Sequence, residues 1–221
     1  MPDHSSLFLD TLKMGFDIVL KESSIPEPEE KLLADYARYY DFLMQWSKVY
    51  NLTRDLDVKN AAEKLFIDSY MITSVLTDKD SIQQLVDIGS GAGFPSLVLL
   101  LKFKSWQGFL FEKVHKKTAF LQFVSAQLNC SAHIFNRVFN FKDEQPIASG
   151  NCVLWTSRAT FSPKDWLEYS IQASKAQDQI IIESIIPLRD YDATKCQISK
   201  TCQYQLPFSR APRTVSKFMR L

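Results

Sequence analysis

Apolar residues recur at helical spacing through the first third of the chain. This spacing predicts three amphipathic helices, at residues 7–20, about 28–49 and about 58–76. The predicted buried face of the second helix consists of Leu32, Leu33, Tyr36, Tyr39, Tyr40, Leu43, Trp46 and Val49. Because no low-complexity linker follows the third helix, we predict that residues 1–80 form a helical extension packed on the rest of the chain.

From residue 81 onward, short apolar runs alternate with amphipathic segments. The runs predict strands near residues 84–88, 108–112, 131–135, 152–155, 179–182, 196–205 and 213–220. Helices are predicted from Phe94 onward, over 115–128 and over 163–174, with a polar loop at Asp143, Glu144 and Pro146. Such alternation is typical of α/β proteins. We therefore predict a second domain at residues 81–221, with a mostly parallel seven-stranded sheet, helices on both faces and a reversed hairpin at one edge.

A glycine-rich turn follows the first predicted strand, where the apolar run at residues 85–88 leads into Gly89, Gly91 and Gly93. Glycines there allow a sharp turn and a close approach of ligand to backbone, which predicts a nucleotide crevice in an open sheet. Dinucleotide-binding turns have the spacing G-x-G-x-x-G, whereas this chain has G-x-G-x-G after Asp87. A carboxylate there would repel a pyrophosphate but suits a cationic amino-acid ligand. This pattern is typical of methyltransferases that use S-adenosylmethionine (SAM).

An acidic residue ends the second predicted strand, because Glu112 lies 24 residues beyond Ile88. In nucleotide-binding sheets, an acid at about this distance accepts hydrogen bonds from ribose hydroxyls. We therefore predict that Glu112 binds the ribose of the cofactor. The alternative is an ordinary strand–turn–helix whose glycines occur by chance and whose acid is a solvated strand end.

Composition narrows the class of protein. The chain has 221 residues, of which 46% are hydrophobic, enough for one sizeable core. It has no apolar stretch of membrane-spanning length and no basic start leading into an apolar run, so we expect a cytoplasmic protein without a membrane partner. Its four cysteines have no C-x-x-C spacing and no cluster with histidine, so we expect reduced thiols and no metal site.

The formal net charge of +1 is unevenly distributed. Residues 1–80 contain 9 basic and 15 acidic residues, whereas residues 81–221 contain 17 basic and 10 acidic residues. A basic half suits a polyanionic partner such as RNA, although mild positive charge is also common on inert surfaces.

Several separated motifs resemble those of one family. The run at residues 87–95, D-I-G-S-G-A-G-F-P, is the most similar of them. The others are Tyr50-Asn51-Leu52-Thr53, Asp68-Ser69, Lys116-Lys117 with Phe120-Leu121, Asn136-Arg137-Val138, Ser157-Arg158-Ala159 and Arg213-Thr214-Val215. Together they resemble the bacterial RsmG/GidB family of 16S ribosomal RNA guanine-N7 methyltransferases, from about residue 30 to the C-terminus. The resemblance implies a Rossmann-like SAM-dependent methyltransferase fold.

The resemblance also implies an activity and a set of site residues. The reaction would transfer the methyl group of SAM to N7 of a guanine in small-subunit ribosomal RNA, leaving S-adenosylhomocysteine. The substrate would be free RNA or the assembled subunit, and we expect a monomer without a metal. Cofactor-binding residues would be Asp87, Gly89, Ser90, Gly91, Gly93, Phe94, Glu112, Arg137, Val138 and Arg158. RNA-binding residues would be Arg137, Arg158, Arg213, Lys116 and Lys117, and catalytic residues would be Arg158 and Asn51.

Each side chain in this set has a plainer interpretation. Arg158 directly follows a buried strand, where it could contact RNA or form a structural salt bridge. Lys116 and Lys117 are equally consistent with a solvated helix face, and Asn51 with a helix cap. The large aromatic residues Trp46, Trp106, Trp155, Phe161 and Trp166 are predicted to be core rather than base-stacking residues.

The chain differs from the family pattern at four places. Leu65 occupies the place of a histidine, Phe139 that of an acid and Ser96 that of a glycine. The fifth strand of the family commonly ends in L-K-G, whereas here Ile182-Glu183-Ser184-Ile185 has an acid or a hydroxyl in place of the lysine. These differences motivate a reading in which the chain is a non-catalytic module that binds SAM or RNA. A methyltransferase acting on a small molecule or a protein is a further alternative, which Arg158 and Arg213 disfavour.

Overall fold

The computed structural model describes residues 4–21, 25–77, 80–141 and 152–221. Its α-helices are α1 (His4–Leu20), α2 (Glu30–Ser47), α3 (Val58–Asn60), α4 (Asp68–Tyr70), α5 (Ser96–Lys102), α6 (His115–Gln127) and α7 (Pro163–Ala173). Its strands are β1 (Ile82–Ile88), β2 (Gln107–Phe111), β3 (Ala132–Phe135), β4 (Cys152–Thr156), β5 (Gln179–Ser184), β6 (Cys196–Gln205) and β7 (Pro212–Arg220). The seven predicted strands are confirmed, whereas the polar loop at Asp143, Glu144 and Pro146 lies outside the described residues.

The strands form one sheet in the order β3-β2-β1-β4-β5-β7-β6, in which β7 runs antiparallel to both of its neighbours. The other pairs are parallel, so the predicted α/β class and the reversed edge hairpin are confirmed. β1 lies between β2 and β4, with Ile88 opposite Phe111 and Asp87 opposite Thr156. The residues that follow these three strands therefore meet at one edge of the sheet.

Alternate residues of the central strands pack on opposite faces. Leu85, Leu110 and Leu154 belong to a core shared with α1, α2, α5 and α6. Val86, Phe109, Phe111 and Trp155 belong to a second core, which includes α7. Helices thus cover both faces, as the run of strands and helices predicts.

The N-terminal helices share the first core with the sheet domain. Tyr36 and Tyr39 of α2 are fully buried, and their hydroxyls donate to main-chain carbonyls near the glycine turn. Tyr36 donates to Val98 O at 3.0 Å, and Tyr39 donates to Ala92 O. Since a buried hydroxyl without a partner would destabilise the fold, these bonds also fix the position of α2 relative to α5. The division of the chain at residue 80 remains a prediction.

The segment predicted as one helix over 58–76 contains four pieces. A π-helix (Ala61–Ile67) separates α3 from α4, and a 3₁₀-helix (Met71–Val75) follows. The N-terminus of α3 is capped by Asp57, whose side chain accepts from Asn60 N at 3.0 Å. Asn51 does not cap this helix. The π-helix carries Lys64 and Leu65 and α4 begins at Asp68, and all three residues lie beside the segment that follows β4. π-Helical turns are frequent at functional sites.

None of the helices in the described part of the chain is both long and apolar enough to cross a membrane. Among the same residues, no group of three or more His, Cys, Asp or Glu side chains is placed to hold a metal ion.

Candidate functional site

The glycine turn is held against the end of β2. Gly89 N and Ser90 N both donate to Phe111 O, at 2.8 and 3.1 Å. Gly89, Gly91 and Gly93 have φ angles of 74°, 59° and 93°, in the region that side chains disfavour. The sequence pattern therefore corresponds to a real conformational requirement at all three positions.

The three glycines differ in what a side chain would meet. A Cβ at Gly89 would lie 2.2 Å from Thr160 Oγ1, and one at Gly93 would lie 2.5 Å from Tyr39 Oη. A Cβ at Gly91 would have only Gly89 O nearby, at 3.8 Å, and would enter open space. Two of the glycines are therefore required by protein packing, and Gly91 alone leaves its space free for a ligand.

Glu112 lies at the mouth of the turn and is 6% exposed. Its Oε2 accepts from Gly91 N at 2.9 Å and its Oε1 accepts from Val114 N at 2.8 Å. These bonds fix the carboxylate and leave further lone pairs on each oxygen. Glu112 can therefore accept hydrogen bonds from the hydroxyl groups of a ligand.

A cavity of about 680 Å³ opens between the turn, the end of β2 and the segment after β3. We name it the turn cavity. It is lined by Ile88, Gly89, Gly91, Phe111, Glu112, Lys113, Val114, Lys117, Arg137, Val138, Phe139, Phe141, Arg158, Ala159, Thr160, Phe161 and Tyr169. Its volume and mixed apolar and polar lining are those of a small-molecule site. The free space at Gly91, the fixed acid at Glu112 and the apolar walls fit a nucleoside.

Four predicted cofactor-binding residues lie behind the turn rather than in the cavity lining. Asp87, Ser90 and Phe94 are buried, and Phe94 stacks on Tyr39 with ring centroids 5.1 Å apart. Gly93 faces Tyr39. The helix predicted from Phe94 begins at Ser96, after Pro95 as its N-cap residue. These residues shape the turn from below, and their contact with a cofactor stays a prediction.

Asp87 is a buried acid with an incomplete set of partners. Thr156 Oγ1 donates to its Oδ1 at 3.0 Å, whereas Oδ2 has no hydrogen-bond partner among the described residues. Burial raises the pKa of Asp87 to about 6, although hydrogen bonds from neighbouring side chains oppose the shift. The sheet therefore keeps a titratable group directly under the turn.

A second cavity, of about 610 Å³, lies on the other side of the segment after β4. We name it the arginine cavity. It is lined by Asp55, Lys64, Leu65, Asp68, Ser157, Arg158, Ala159, Phe161, Pro163, Trp166, Ile182, Glu183, Ser184, Ile185 and Arg213. Arg158, Ala159 and Phe161 line both cavities. Two ligands could therefore bind side by side and meet at these three residues.

Arg158 is engaged in a bidentate ion pair. Its Nε donates to Glu183 Oε2 at 3.2 Å and its Nη2 to Glu183 Oε1 at 2.5 Å, while Nη1 donates to Lys64 O at 3.2 Å. Burial lowers the pKa of Arg158, but the carboxylates of Glu183 and Asp68 outweigh it and the net shift is upward. Arg158 therefore forms the structural salt bridge that the plainer interpretation predicts. Because it also lines both cavities, it is placed to contact a ligand as well.

A second group of polar side chains adjoins this pair. Asp68 Oδ1 accepts from Tyr204 Oη at 2.6 Å, and Asp68 Oδ2 lies 3.5 Å from Arg213 Nε and 3.9 Å from Arg158 Nη2. The two arginines and the two acids therefore form one charge-balanced network, Asp68–Arg158–Glu183–Arg213, along a wall of the arginine cavity.

The remaining predicted residues are divided between cavity and surface. Lys117 and Arg137 line the turn cavity, and the guanidinium carbon of Arg137 lies 5.1 Å from the centre of the Phe111 ring. Lys116 is exposed, and Asn51 is exposed in the loop after α2 and lines neither cavity.

Sequence reasoning missed three contributions to the site. Glu183 is the ion-pair partner of Arg158, Tyr204 reaches Asp68 from β6, and Phe161 lines both cavities although it was predicted to be core. The departure from the family pattern at Glu183 was the one available signal. Phe139, another departure, is buried and packs edge-on against Phe111 and Trp155.

Comparisons with known proteins place these features in a family. The model of the GidB family, described as rRNA small subunit methyltransferase G, matches residues 32–214. The ribosomal RNA small subunit methyltransferase G of Fusobacterium nucleatum is 27% identical over 234 residues, which cover 100% of this chain and 91% of that protein. The protein of the same description from Oenococcus oeni is also 27% identical, over 87% of this chain and 83% of its own length.

Among solved structures, a mutant of MtNAS in complex with S-adenosylmethionine has a similar fold. Its TM-score is 0.51 at 12% sequence identity, and the match covers 99% of this chain and 97% of that one. This likeness supports the fold class independently of the sequence motifs.

Proposed function

The chain belongs to the GidB family of ribosomal RNA small-subunit methyltransferases, and we propose that it transfers the methyl group of SAM to N7 of a guanine in small-subunit ribosomal RNA. The observation that carries the proposal is the pair of cavities that meet at Arg158, Ala159 and Phe161. A methyltransferase needs two adjoining sites, one for each reactant, at the ligand-binding edge of its sheet.

The turn cavity is the proposed cofactor site. Glu112 would accept hydrogen bonds from the ribose hydroxyls, Gly91 would allow the closest approach, and Val138 and Phe139 would contact the adenine. When bound, SAM supplies an electrophilic methyl group on a sulfonium ion. Asp87 and Ser90 would act from below by holding the turn in place.

The arginine cavity is the proposed site of the guanine. Leu65, Phe161 and Ile182 provide apolar walls for a flat base, and Arg213 in the same lining would contact an RNA phosphate. N7 of guanine already carries an in-plane lone pair, so no proton has to be removed before attack and no general base is required. The main task of these residues is to hold N7 in line with the methyl group.

The proposal also covers the form of the substrate, the compartment and the oligomeric state. Acting on small-subunit RNA, as free RNA or within the assembled subunit, the chain would work in the cytoplasm and as a monomer. Arg137, Lys116, Lys117 and Arg213 are the proposed contacts to RNA phosphate groups.

The direct test is methyl transfer from labelled SAM to small-subunit RNA from cells that lack this gene. We expect 7-methylguanosine in the digested product by nucleoside mass spectrometry. Binding of SAM without transfer to free RNA or to small subunits would instead support a different substrate or a binding module. If SAM does not bind, the assignment of the turn cavity is wrong.

A further inference from the structure

A carboxylate at the end of β5 belongs to the wall of the arginine cavity. Glu183 and Ser184 line only the arginine cavity, whereas Arg158, Ala159 and Phe161 line both cavities. A guanine with N7 toward the turn cavity has N1–H and the 2-amino group on its opposite side. Those two donors would therefore point into the arginine cavity, whose wall includes Glu183.

Glu183 has the capacity to accept them. Arg158 donates one hydrogen bond to each carboxylate oxygen of Glu183, and an ionised carboxylate offers about four acceptor sites in all. The Glu183 side chain is 17% exposed, so part of it reaches the cavity. The bidentate contact with Arg158 fixes the plane of the carboxylate, which limits the entropy lost when a ligand binds.

The chemistry of this acceptor distinguishes guanine from adenine. A carboxylate accepts two parallel hydrogen bonds from N1–H and N2–H of guanine, whereas adenine presents an unprotonated N1 at the same edge. Enzymes that act on an extruded base recognise it through this edge and through contacts with apolar side chains. Leu65 and Ile182 supply such contacts on the cavity wall.

We propose that Glu183 is a specificity-determining residue that recognises the N1–H and 2-amino groups of the target guanine, with Arg158 as the positioning residue that orients it. The inference rests on the proposed function. It gives a role to the acid that replaces the lysine of the family pattern, and it gives Arg158 a task other than direct contact with RNA phosphate.

The test compares two RNA substrates that differ by one amino group. A small-subunit RNA fragment with the unmodified target guanine is prepared in parallel with the same fragment carrying inosine at that position. We expect wild-type kcat/KM to favour guanine by about 10- to 100-fold, because a site built for a donor rejects an analogue that lacks it. In Glu183→Gln the preference should fall to about threefold or less, because the amide retains one acceptor and loses the other.

Two further variants separate recognition from structure. Glu168→Gln removes an exposed carboxylate on α7 outside both cavities and should keep the wild-type preference. Glu183→Asp keeps the charge on a shorter side chain and should give an intermediate preference. If Glu183→Gln lowers kcat/KM equally for both substrates, Glu183 only holds Arg158 in place and the inference is overturned.

A binding measurement separates this inference from the proposed function. Saturation-transfer NMR with GMP, IMP and AMP, in the presence of S-adenosylhomocysteine, needs no methyl transfer. Preferential binding of GMP that Glu183→Gln abolishes supports the recognition role even if no RNA is methylated. Equal signals for the three nucleotides with the wild-type protein, together with active transfer to RNA, would overturn the recognition role and leave the proposed function intact.

Discussion

The two cavities that meet at Arg158 are built by different means. The glycine-turn wall of the turn cavity is shaped by main-chain groups close in sequence, among them Gly91 N–H, which donates to Glu112 at 2.9 Å. The wall of the arginine cavity is shaped by side chains distant in sequence, with Arg158 bonded to Glu183 and Asp68 to Tyr204. Backbone geometry permits few substitutions, whereas a side-chain network can change when its partners change together.

This difference corresponds to part of the chain's departures from its family, because Phe139 lines the turn cavity and Ser96 follows the glycine turn. The glycine turn keeps the family letters, since each glycine has a positive φ. The arginine cavity has Leu65 and Glu183 where the family pattern has other residues, and its charges still balance. We infer that the glycine turn is constrained by its backbone conformation, whereas the wall of the arginine cavity is constrained mainly by charge pairing.

The largest expected effect comes from a side chain in the free space at the turn. Gly91→Val should weaken binding of S-adenosylhomocysteine by up to about 100-fold, since overfilling a site costs up to about 3 kcal/mol. Isothermal titration calorimetry measures the loss. Gly91→Ala shares the strain but adds one methyl group, so its loss should be smaller. Normal affinity of the valine variant would contradict the placement of the cofactor.

Substitution of Arg158 should lower the free energy of unfolding more than it lowers affinity for the cofactor. Arg158→Gln leaves Glu183 largely buried without its counter-ion, and we expect a loss of about 2–3 kcal/mol in the free energy of unfolding, less than for a fully buried pair because both side chains keep some solvent. Urea denaturation checks this value. The double variant Arg158→Gln/Glu183→Gln should recover part of the loss, and no recovery would show that the two side chains are not coupled.

The pH dependence of stability should report the acid beneath the turn. The pKa of Asp87 is raised from its ordinary value to about 6, so the folded chain holds this proton while the unfolded chain has lost it. The free energy of unfolding should therefore fall between about pH 4 and pH 6, by about 2–3 kcal/mol from this residue. Denaturant titrations of the wild type and Asp87→Asn at several pH values isolate the effect. If the free energy of unfolding of the wild type and of Asp87→Asn changed with pH in the same way, the predicted contribution of Asp87 would be refuted.

The smallest expected effect lies at the rim of the charge network. Tyr204→Phe removes the hydroxyl that donates to Asp68 Oδ1, while Arg213 still lies beside Oδ2. We expect a loss of about 1–2 kcal/mol in the free energy of unfolding, as for a hydrogen bond to a charged group. Thermal unfolding gives the value, with Tyr191→Phe as a control away from both cavities. An equal loss in Tyr191→Phe would show that the hydrogen bond from Tyr204 to Asp68 makes no specific contribution to stability.

The sequence was sufficient for the features that depend on local pattern. The seven strands, the glycine turn and the helices outside residues 58–76 follow from periodicity and from backbone requirements that neighbouring residues express. The contact between Arg158 and Glu183 could not be predicted in the same way, because it depends on two parallel strands ending at the same level. The place of Phe161 in both cavities could not be predicted either, because an aromatic residue near a strand end is equally consistent with a core position and with a cavity wall.

The π-helix at Ala61–Ile67 has a consequence for how this segment tolerates insertions and deletions. A π-helical turn accommodates one residue more than an α-helical turn, so deletion of a single residue there would allow an ordinary α-helix. Each residue of an α-helix turns the chain by about 100°. The shortened segment would therefore keep Asp68 near its present orientation, whereas the same deletion within an ordinary α-helix would rotate Asp68 by about 100°, away from Arg213 and Tyr204. The π-helix is thus the part of this segment where one residue can be lost while the contacts of Asp68 are kept.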